Sequence, residues 1–325
     1  MTLLIGIDEA GYGPNLGPLC IGATAWWVEK RVASCELREQ GGVDLYQLLA
    51  DIVSCKPDGE RIAIADSKQL YKPASHSKNS GLRHLERGVL TALTAIGRSA
   101  TCWQSLLTPP TLPWYTGYNC PLPIDASMEE VVRLANRFSQ ACDSASVQLV
   151  DMRTRLVFPG EFNELTEKYG TKGAALSHIS IGLLKTILAS SRNSQLATRS
   201  SITCDKHGGR NRYAALLQHH FPDEWVETIE ESRPSSRYRW GPPESRTEIC
   251  FRTEGESELP VALASMTAKY HRELAMRAFN AYWASLIPEL KPTAGYPQDA
   301  KRFKAEIVSV QSKLEIEDHI LWRNR

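Results

Sequence analysis

The sequence predicts an α/β fold, and three features of its pattern predict it. Apolar and β-branched runs typical of strands come first, helical patterns are interleaved with later strands, and the longest helical pattern lies late in the chain. The chain has 325 residues, 42% hydrophobic and 23% charged, which is enough apolar material to bury a large core. This composition excludes a disordered, collagen-like or coiled-coil protein.

The first half of the chain predicts strands followed by helices. Residues 2–8 and 19–29 predict strands, and the Gly/Pro-rich turn 10–18 between them cannot be helical. Residues 103–124, rich in Pro, Trp and Tyr, predict an irregular insertion that covers the core, with a substrate-facing aromatic platform as the alternative. The remaining elements predicted here are helices over 81–98, 127–142 and 173–192 and a short strand over 146–152.

The second half predicts a strand over 201–205 that ends on Asp205, and then a helix near 211–220. Two or three strands follow in 225–254, the longest helix in 259–287 and a tail helix near 298–307. We therefore expect a main domain over 1–290 with an insertion near 100–145, and a C-terminal helical extension over 291–325 packed on it.

The start of the chain and its cysteines predict a cytoplasmic protein. The chain reaches Asp8 and Glu9 after a very short apolar run, so a secretory signal is not expected, and no run has the roughly 18 apolar residues of a membrane span. Eight cysteines lie singly, without a C-x-x-C pair, a pattern that favours reduced thiols over zinc ligands and leaves disulfides as the alternative.

The charge balance is close to zero, with 38 Lys and Arg against 37 Asp and Glu. A protein that holds nucleic acid by bulk charge is normally more basic than this. Positive charge is nevertheless concentrated locally, because residues 232–252 hold five Arg and two Glu, a net charge of +3, after an acidic stretch over 223–231.

Four carboxylates stand where the chain changes direction: Asp8, Glu9, Asp205 and Glu256. Function collects at such strand ends, and converging carboxylates repel one another unless a cation neutralises them. With only oxygen ligands, that cation is predicted to be Mg²⁺ or Mn²⁺, and a pair of such ions is the usual device for attack at phosphorus. By spacing alone, turn-forming and helix-capping roles are the more common ones for such residues.

Four motifs, in order, resemble the type 2 ribonucleases H, ribonuclease HII and its relative HIII. They run nearly end to end: Gly6-Ile7-Asp8-Glu9-Ala10-Gly11-Tyr12-Gly13-Pro14, Asp66-Ser67-Lys68-Gln69-Leu70, the Ala-Ser helix 261–270, and Gly295-Tyr296. The resemblance implies a ribonuclease H-like fold, in which a mixed central sheet is flanked by helices.

The resemblance also implies a function. This is an endonuclease that cuts the RNA strand of an RNA–DNA hybrid, or duplex DNA containing ribonucleotides, and leaves 5′-phosphate and 3′-hydroxyl ends. Two Mg²⁺ or Mn²⁺ ions are expected on Asp8, Glu9, Asp205 and Glu256, with Glu254 as the competing fourth acid. No membrane partner is expected, and the chain is expected to be a monomer. The alternative is a nucleic-acid-binding protein of the same fold that has lost or changed the activity.

By the same resemblance, six residues are expected to contact substrate: Gly11, Tyr12, Gly13, Lys68, Arg210 and Tyr296. Tyr12 stands where ribonuclease HII has Arg or Lys, which puts recognition of a single embedded ribonucleotide in doubt. Two further residues have open roles. His207 is a proton relay or a turn residue, and Asp151 is an additional acid or a turn residue.

Overall fold

The structure is a computed structural model that describes residues 1–29, 43–72, 81–191 and 199–324. Its described strands are β1 (Thr2–Ala10), β2 (Leu19–Val28), β3 (Val53–Ser54), β4 (Ile62–Ala63), β5 (Val147–Val157), β6 (Arg199–Asp205), β7 (Glu227–Glu231), β8 (Ser235–Trp240) and β9 (Thr247–Arg252). Seven of them form one sheet in the order β5-β2-β1-β6-β9-β8-β7, and β3 pairs with β4.

The helices flank this sheet and continue to the C-terminus. They are α1 (Leu45–Leu48), α2 (Ser67–Leu70), α3 (Arg83–Ala95), α4 (Trp103–Leu106), α5 (Met128–Ala145), α6 (Pro159–Tyr169), α7 (Lys172–Ser191), α8 (Ala214–His220), α9 (Leu259–Leu286), α10 (Pro297–Lys313) and α11 (Asp318–Leu321). Single 3₁₀ turns span Pro243–Ser245 and Gly255–Ser257.

The central sheet is mixed. On one side of β1 the pairs β1–β2 and β2–β5 are antiparallel, and on the other side β6 and then β9 run parallel to it. The hairpin β7–β8 completes the edge in antiparallel fashion. The predicted mixed central sheet with flanking helices and C-terminal helices is therefore confirmed.

Strand alternation divides the core between the two faces of the sheet. Leu3, Ile5 and Ile7 of β1 are buried on one face with α7, in a cluster that includes Leu176 and Ile181. The opposite face is covered by α9, which is buried along most of its length. Helix α7 is long and apolar enough, by length and composition alone, to cross a membrane, but here its apolar residues pack on the sheet.

Glycines allow α9 to lie directly on the sheet backbone. A Cβ at Gly6 would lie 2.1 Å from the carbonyl carbon of Pro260, and one at Gly22 would lie 2.2 Å from the Ala264 oxygen. Between them the Thr24 hydroxyl donates to the Pro260 carbonyl at 2.8 Å. These contacts fix the height of α9 above β1 and β2.

The aromatic insertion covers the core. Trp103, Trp114 and Tyr115 are buried, and the Trp114 ring meets Phe279 of α9 edge-on with centroids 5.4 Å apart. The interpretation of this segment as a substrate-facing platform is therefore wrong for these three rings.

The C-terminal helices share this core. Phe303 of α10 is fully buried, and its ring centroid lies 5.5 Å from that of Phe279. The division into a domain over 1–290 and an extension over 291–325 stays a prediction, since one apolar cluster crosses it.

Several boundaries differ from the predictions. Strand β5 continues to Val157, so Asp151 is neither a turn residue nor a catalytic acid; it forms ion pairs with Arg98 and Arg153. Polar residues on both faces of this strand hide its alternation from the sequence. Helix α6 was not predicted, and α10 extends to Lys313. The seven described cysteines are free, while Cys35 and residue 192 of the predicted helix lie outside the described residues.

Candidate metal-binding active site

Two neighbouring parallel strands bring three of the four predicted carboxylates together. Asp8 and Glu9 lie near the end of β1, and Asp205 is the last residue of β6. One carboxylate oxygen from each lies within 4.8 Å of the others. Asp8 pairs with Gly22 across the β1–β2 ladder, so the Asp8 side chain lies on the sheet face that α9 covers. The side chain of Glu9, the next residue, leaves the strand on the opposite face.

Glu256 lies at the edge of this group rather than inside it. It belongs to the 3₁₀ turn after β9, its side chain is 14% exposed, and its Oε1 lies 4.0 Å from Lys68 Nζ. Its charge is close enough to raise the pKa of Asp8, Glu9 and Asp205. Glu254 is exposed, with a left-handed φ of 60°, so the geometry favours Glu256 as the fourth acid.

Burial and mutual repulsion make the ionised carboxylates costly. Burial first, and then the charge of Glu9, raises the pKa of Asp8 well above its ordinary range. Burial and Asp205 raise the pKa of Glu9 to about 8, and burial and Glu256 raise that of Asp205 to about 6. A divalent cation among these oxygens would relieve both effects, and an all-oxygen donor set suits Mg²⁺ or Mn²⁺.

Ser265 and Ser67, from two of the four sequence motifs, lie at the site. The Ser265 side chain of α9 lowers the pKa of Asp8, and its hydroxyl donates to the Ser67 hydroxyl at 3.1 Å. Asp66 caps α2 by accepting from the Lys68 backbone N–H at 3.0 Å. The second motif therefore supports the site through Ser67, and Asp66 has a structural role.

Two buried arginines, which the sequence analysis missed, hold the Gly-rich turn in place. Arg323 Nη2 donates to the Gly11 carbonyl at 2.8 Å, and Arg272 Nη2 donates to the Ala294 carbonyl at 2.9 Å and to the Leu16 carbonyl at 3.3 Å. Their exposures are 1% and 3%. No local pattern signals a contact between residues 312 positions apart in sequence, such as Arg323 and Gly11.

The turn and the Gly-Tyr motif form one exposed surface. Tyr296 is 55% exposed, and a Cβ at Gly13 would lie 3.8 Å from its ring. Gly295, with φ +83°, packs so closely on Leu16 that a Cβ would lie 2.5 Å from the Leu16 carbonyl oxygen. The structure thus brings Gly11, Gly13 and Tyr296 together.

Tyr12 points away from Tyr296, toward α7. A Cβ at Gly208 would lie 2.9 Å from the Tyr12 hydroxyl, and Lys172 Nζ lies 4.7 Å from the centre of its ring. Burial, and then the charge of Glu9, raises the pKa of Tyr12. Tyr12 therefore positions a lysine next to the turn.

Lys68 and Arg210 differ in their placement. The Lys68 side chain is 83% exposed and reaches Glu256, so it lies at the carboxylate group. Arg210 lies over the Tyr213 ring at 5.8 Å, and no ion pair within the described ranges joins it to Asp8, Glu9 or Asp205. Helix α8 begins only at Ala214, so the preceding turn does not open a helix at Arg210.

His207 is a core residue, and the proton-relay hypothesis for it is wrong. It is 1% exposed, and its Nδ1 lies 3.1 Å from the Ser177 hydroxyl. Burial, and then the charge of Arg210, lowers its pKa to about 3. An imidazole that is buried and neutral at neutral pH is too weak an acid to act as the proton relay.

Two arginines of the arginine-rich stretch have acidic partners. Arg239 Nε donates to Glu227 at 2.6 Å, so the acidic stretch neutralises this arginine. Arg252 donates to Glu258 at 3.2 Å. Arg237 is exposed and stands opposite Glu230 in the β7–β8 register.

No protein-family model matches the chain, and no curated protein matches it. Its structure is similar over nearly its full length to solved ribonucleases HII and HIII. Ribonuclease H2 from Pyrococcus horikoshii OT3 aligns with 98% of this chain and 92% of its own, at 17% identity and TM-score 0.45.

Two further structures give comparable values. Ribonuclease HII of Archaeoglobus fulgidus, solved in complex with PCNA, aligns with 99% of this chain and 94% of its own, at 14% identity and TM-score 0.42. Bst-RNase HIII, solved in complex with Mn²⁺, aligns with 99% and 66%, at 14% identity and TM-score 0.43. The similarity is one of overall chain course at low sequence identity.

Proposed function

We propose that this protein is a metal-dependent endonuclease that hydrolyses the RNA strand of RNA–DNA hybrids, leaving 5′-phosphate and 3′-hydroxyl ends. The observation that carries the proposal is the approach of Asp8, Glu9 and Asp205 oxygens to within 4.8 Å of one another. Three buried or half-buried carboxylates at the ends of adjacent strands oppose folding unless a cation sits among them. A protein that only binds nucleic acid gains nothing from placing them against phosphate.

The residues of the site would have different roles in metal binding and in substrate binding. Asp8 is the central ligand, and Glu9, Asp205 and Glu256 complete the oxygen shell. Two Mg²⁺ or Mn²⁺ ions bound there would activate a water and stabilise the charge that develops on the leaving 3′-oxygen. Lys68, exposed beside Glu256, is placed to contact the phosphate next to the cleaved bond.

The substrate would lie across the Gly-rich turn and Tyr296. Glycine at positions 11 and 13 lets a ribose approach the backbone closely, and the exposed Tyr296 ring can stack on a sugar or base. Lys172, held over the Tyr12 ring, supplies a positive charge beside the turn. The protein is further proposed to act as a cytoplasmic monomer.

The test is cleavage of end-labelled duplexes that carry one ribonucleotide or a run of four, with Mg²⁺ or Mn²⁺. Wild type is expected to cut the longer run, and Asp8→Asn is expected to lose at least about 10²-fold in rate, the range that loss of one charge-stabilising group costs. Cutting of the single ribonucleotide as well would show that Tyr12 at this position is compatible with recognition of an embedded ribonucleotide. No cutting of either duplex, with Asp8→Asn unchanged, would leave the binding-protein alternative.

The fourth acid has a matched control two residues away. Glu256→Gln is expected to slow cleavage strongly, because its charge acts on Asp8, Glu9 and Asp205. Glu254→Gln removes the same charge from an exposed position and should leave the rate within about twofold, as for surface changes generally. The reverse order of effects would assign the role to Glu254.

A further inference from the structure

A second group of potential metal ligands lies outside the carboxylate site. His178 on α7 and His219 and His220 at the end of α8 place one ring nitrogen each within 4.8 Å of the others. His178 Nδ1 and His220 Nε2 are 3.1 Å apart, and the ring centroids of His178 and His219 are 5.4 Å apart. Among the described residues, this and the carboxylate group are the two clusters with such a geometry.

The spacing fits a tetrahedral ion with nitrogen ligands. Zinc–nitrogen bonds of about 2.0–2.1 Å at tetrahedral angles put ligand nitrogens roughly 3.3 Å apart, and the closest pair here is 3.1 Å apart. A hydrogen bond accounts for that pair alone, whereas the third imidazole converges on the same point. The His219 nitrogen lies within 4.8 Å of the other two.

One ring of the cluster is also held in place. Tyr169, the last residue of α6, stacks flat on His178, with centroids 3.8 Å apart and planes 8° apart. This stacking fixes the orientation of the His178 imidazole at the point where the other two rings approach it.

The ligand atoms select the kind of ion. Lys168 and Arg210 lie near His178, and Lys185 lies near His220, so the surrounding charge favours no cation and the imidazole nitrogens would have to supply the binding energy. Imidazole suits Zn²⁺, Ni²⁺ and Cu²⁺, whereas Mg²⁺ and Mn²⁺ prefer oxygen ligands. The two clusters therefore have opposite preferences.

We propose that His178, His219 and His220 form a Zn²⁺-type binding site with three imidazole ligands and its remaining coordination position open to solvent. The bound ion would tie α7 to α8, the helix that follows the Asp205 strand. This assignment is independent of the nuclease activity, because none of its ligands belongs to the carboxylate group.

The test is a Zn²⁺ titration by calorimetry in millimolar Mg²⁺, which competes for the carboxylates and not for the imidazoles. Wild type and Asp8→Asn should each bind one Zn²⁺ with equal affinity, and Zn²⁺ should raise Tm in both. His178→Gln and His219→Gln should each weaken binding by at least about 10–100-fold, the loss caused by removing even an outer-shell partner, and should lose the Tm rise.

The controls separate a metal site from a folding defect. His319→Gln removes an exposed histidine on α11 and should bind Zn²⁺ like wild type. His219 is exposed, so His219→Gln should keep its metal-free Tm, and this variant decides the outcome if His178→Gln unfolds. Unchanged Zn²⁺ affinity in His219→Gln, or loss of binding in Asp8→Asn, would overturn the proposal.

Discussion

Replacing Gly22 by alanine tests how the fold positions the candidate site. The new methyl group would lie 2.2 Å from the Ala264 carbonyl oxygen, 3.0 Å from its carbon and 3.2 Å from the Ala268 nitrogen. All three atoms are backbone atoms of α9, so no side chain can rotate away. Carbon atoms pack at about 3.5–4.0 Å, and α9 would therefore have to rise from β2 by about 1 Å.

The cost of that displacement can be estimated. Overpacking a core costs about 1–3 kcal/mol, and a backbone clash belongs at the upper end of that range. Alanine recovers up to about 1 kcal/mol by restricting the unfolded chain. We expect Gly22→Ala to lose about 2 kcal/mol in the free energy of unfolding, or roughly 3 °C in Tm for a chain of 325 residues.

The same displacement should also slow cleavage, because Gly22 pairs with Asp8 and α9 carries Ser265, which acts on Asp8. A shift of about 1 Å in a positioning group can cost 10²-fold in rate. Urea titration and single-turnover cleavage measure the two effects. Gly182→Ala is the control, because a Cβ at this helical glycine meets nothing within 4 Å, and it should stabilise by about 0.5–1 kcal/mol. Equal stability changes in the two variants would refute the packing argument.

Three further predictions follow from buried groups. Ser265→Ala removes a hydroxyl that favours the ionised Asp8 carboxylate and donates to Ser67, and it should lower kcat by about 10-fold or more at unchanged KM; an equal change in KM would contradict a positioning role. Arg323→Met removes a buried charge beside Arg272 but also the hydrogen bond to Gly11. It should keep the free energy of unfolding within about 1 kcal/mol while raising the Kd for duplex several-fold, and an unchanged Kd would sink the idea that Arg323 shapes the turn. Burial lowers the pKa of His271 from 6.5 to about 4. In the unfolded chain His271 therefore binds a proton below about pH 6.5, whereas in the folded chain it binds one only below about pH 4. Stability then falls as pH drops, and between pH 7 and pH 5 wild type should lose about 2 kcal/mol more than His271→Gln in urea titrations; equal losses would contradict this.

The sequence predicts those parts of the fold whose signals are local. The apolar runs of β1 and β2 and the long pattern of α9 are predicted within one or two residues of their observed ends. The continuation of β5 and the presence of α6 were not predicted, because packing against neighbours decides them rather than periodicity.

The candidate site divides in the same way. The Asp8-Glu9 motif and the strand ending on Asp205 are visible in the sequence, and parallel pairing brings them together. The clamp of Arg323 on Gly11 and the meeting of His178 with His220 join distant segments and need the folded chain. His207 looked like a site residue only because it follows Asp205; its burial could not be deduced from sequence.

Asp8, Glu9 and Asp205 are proposed to form one metal-binding centre. Mn²⁺ titration, followed by the electron paramagnetic resonance signal of the free ion, tests this directly. Wild type and the His219→Gln variant should remove Mn²⁺ from solution equally, whereas Asp8→Asn and Asp205→Asn should each leave far more of the ion free. Equal uptake by wild type and both aspartate variants would contradict the account.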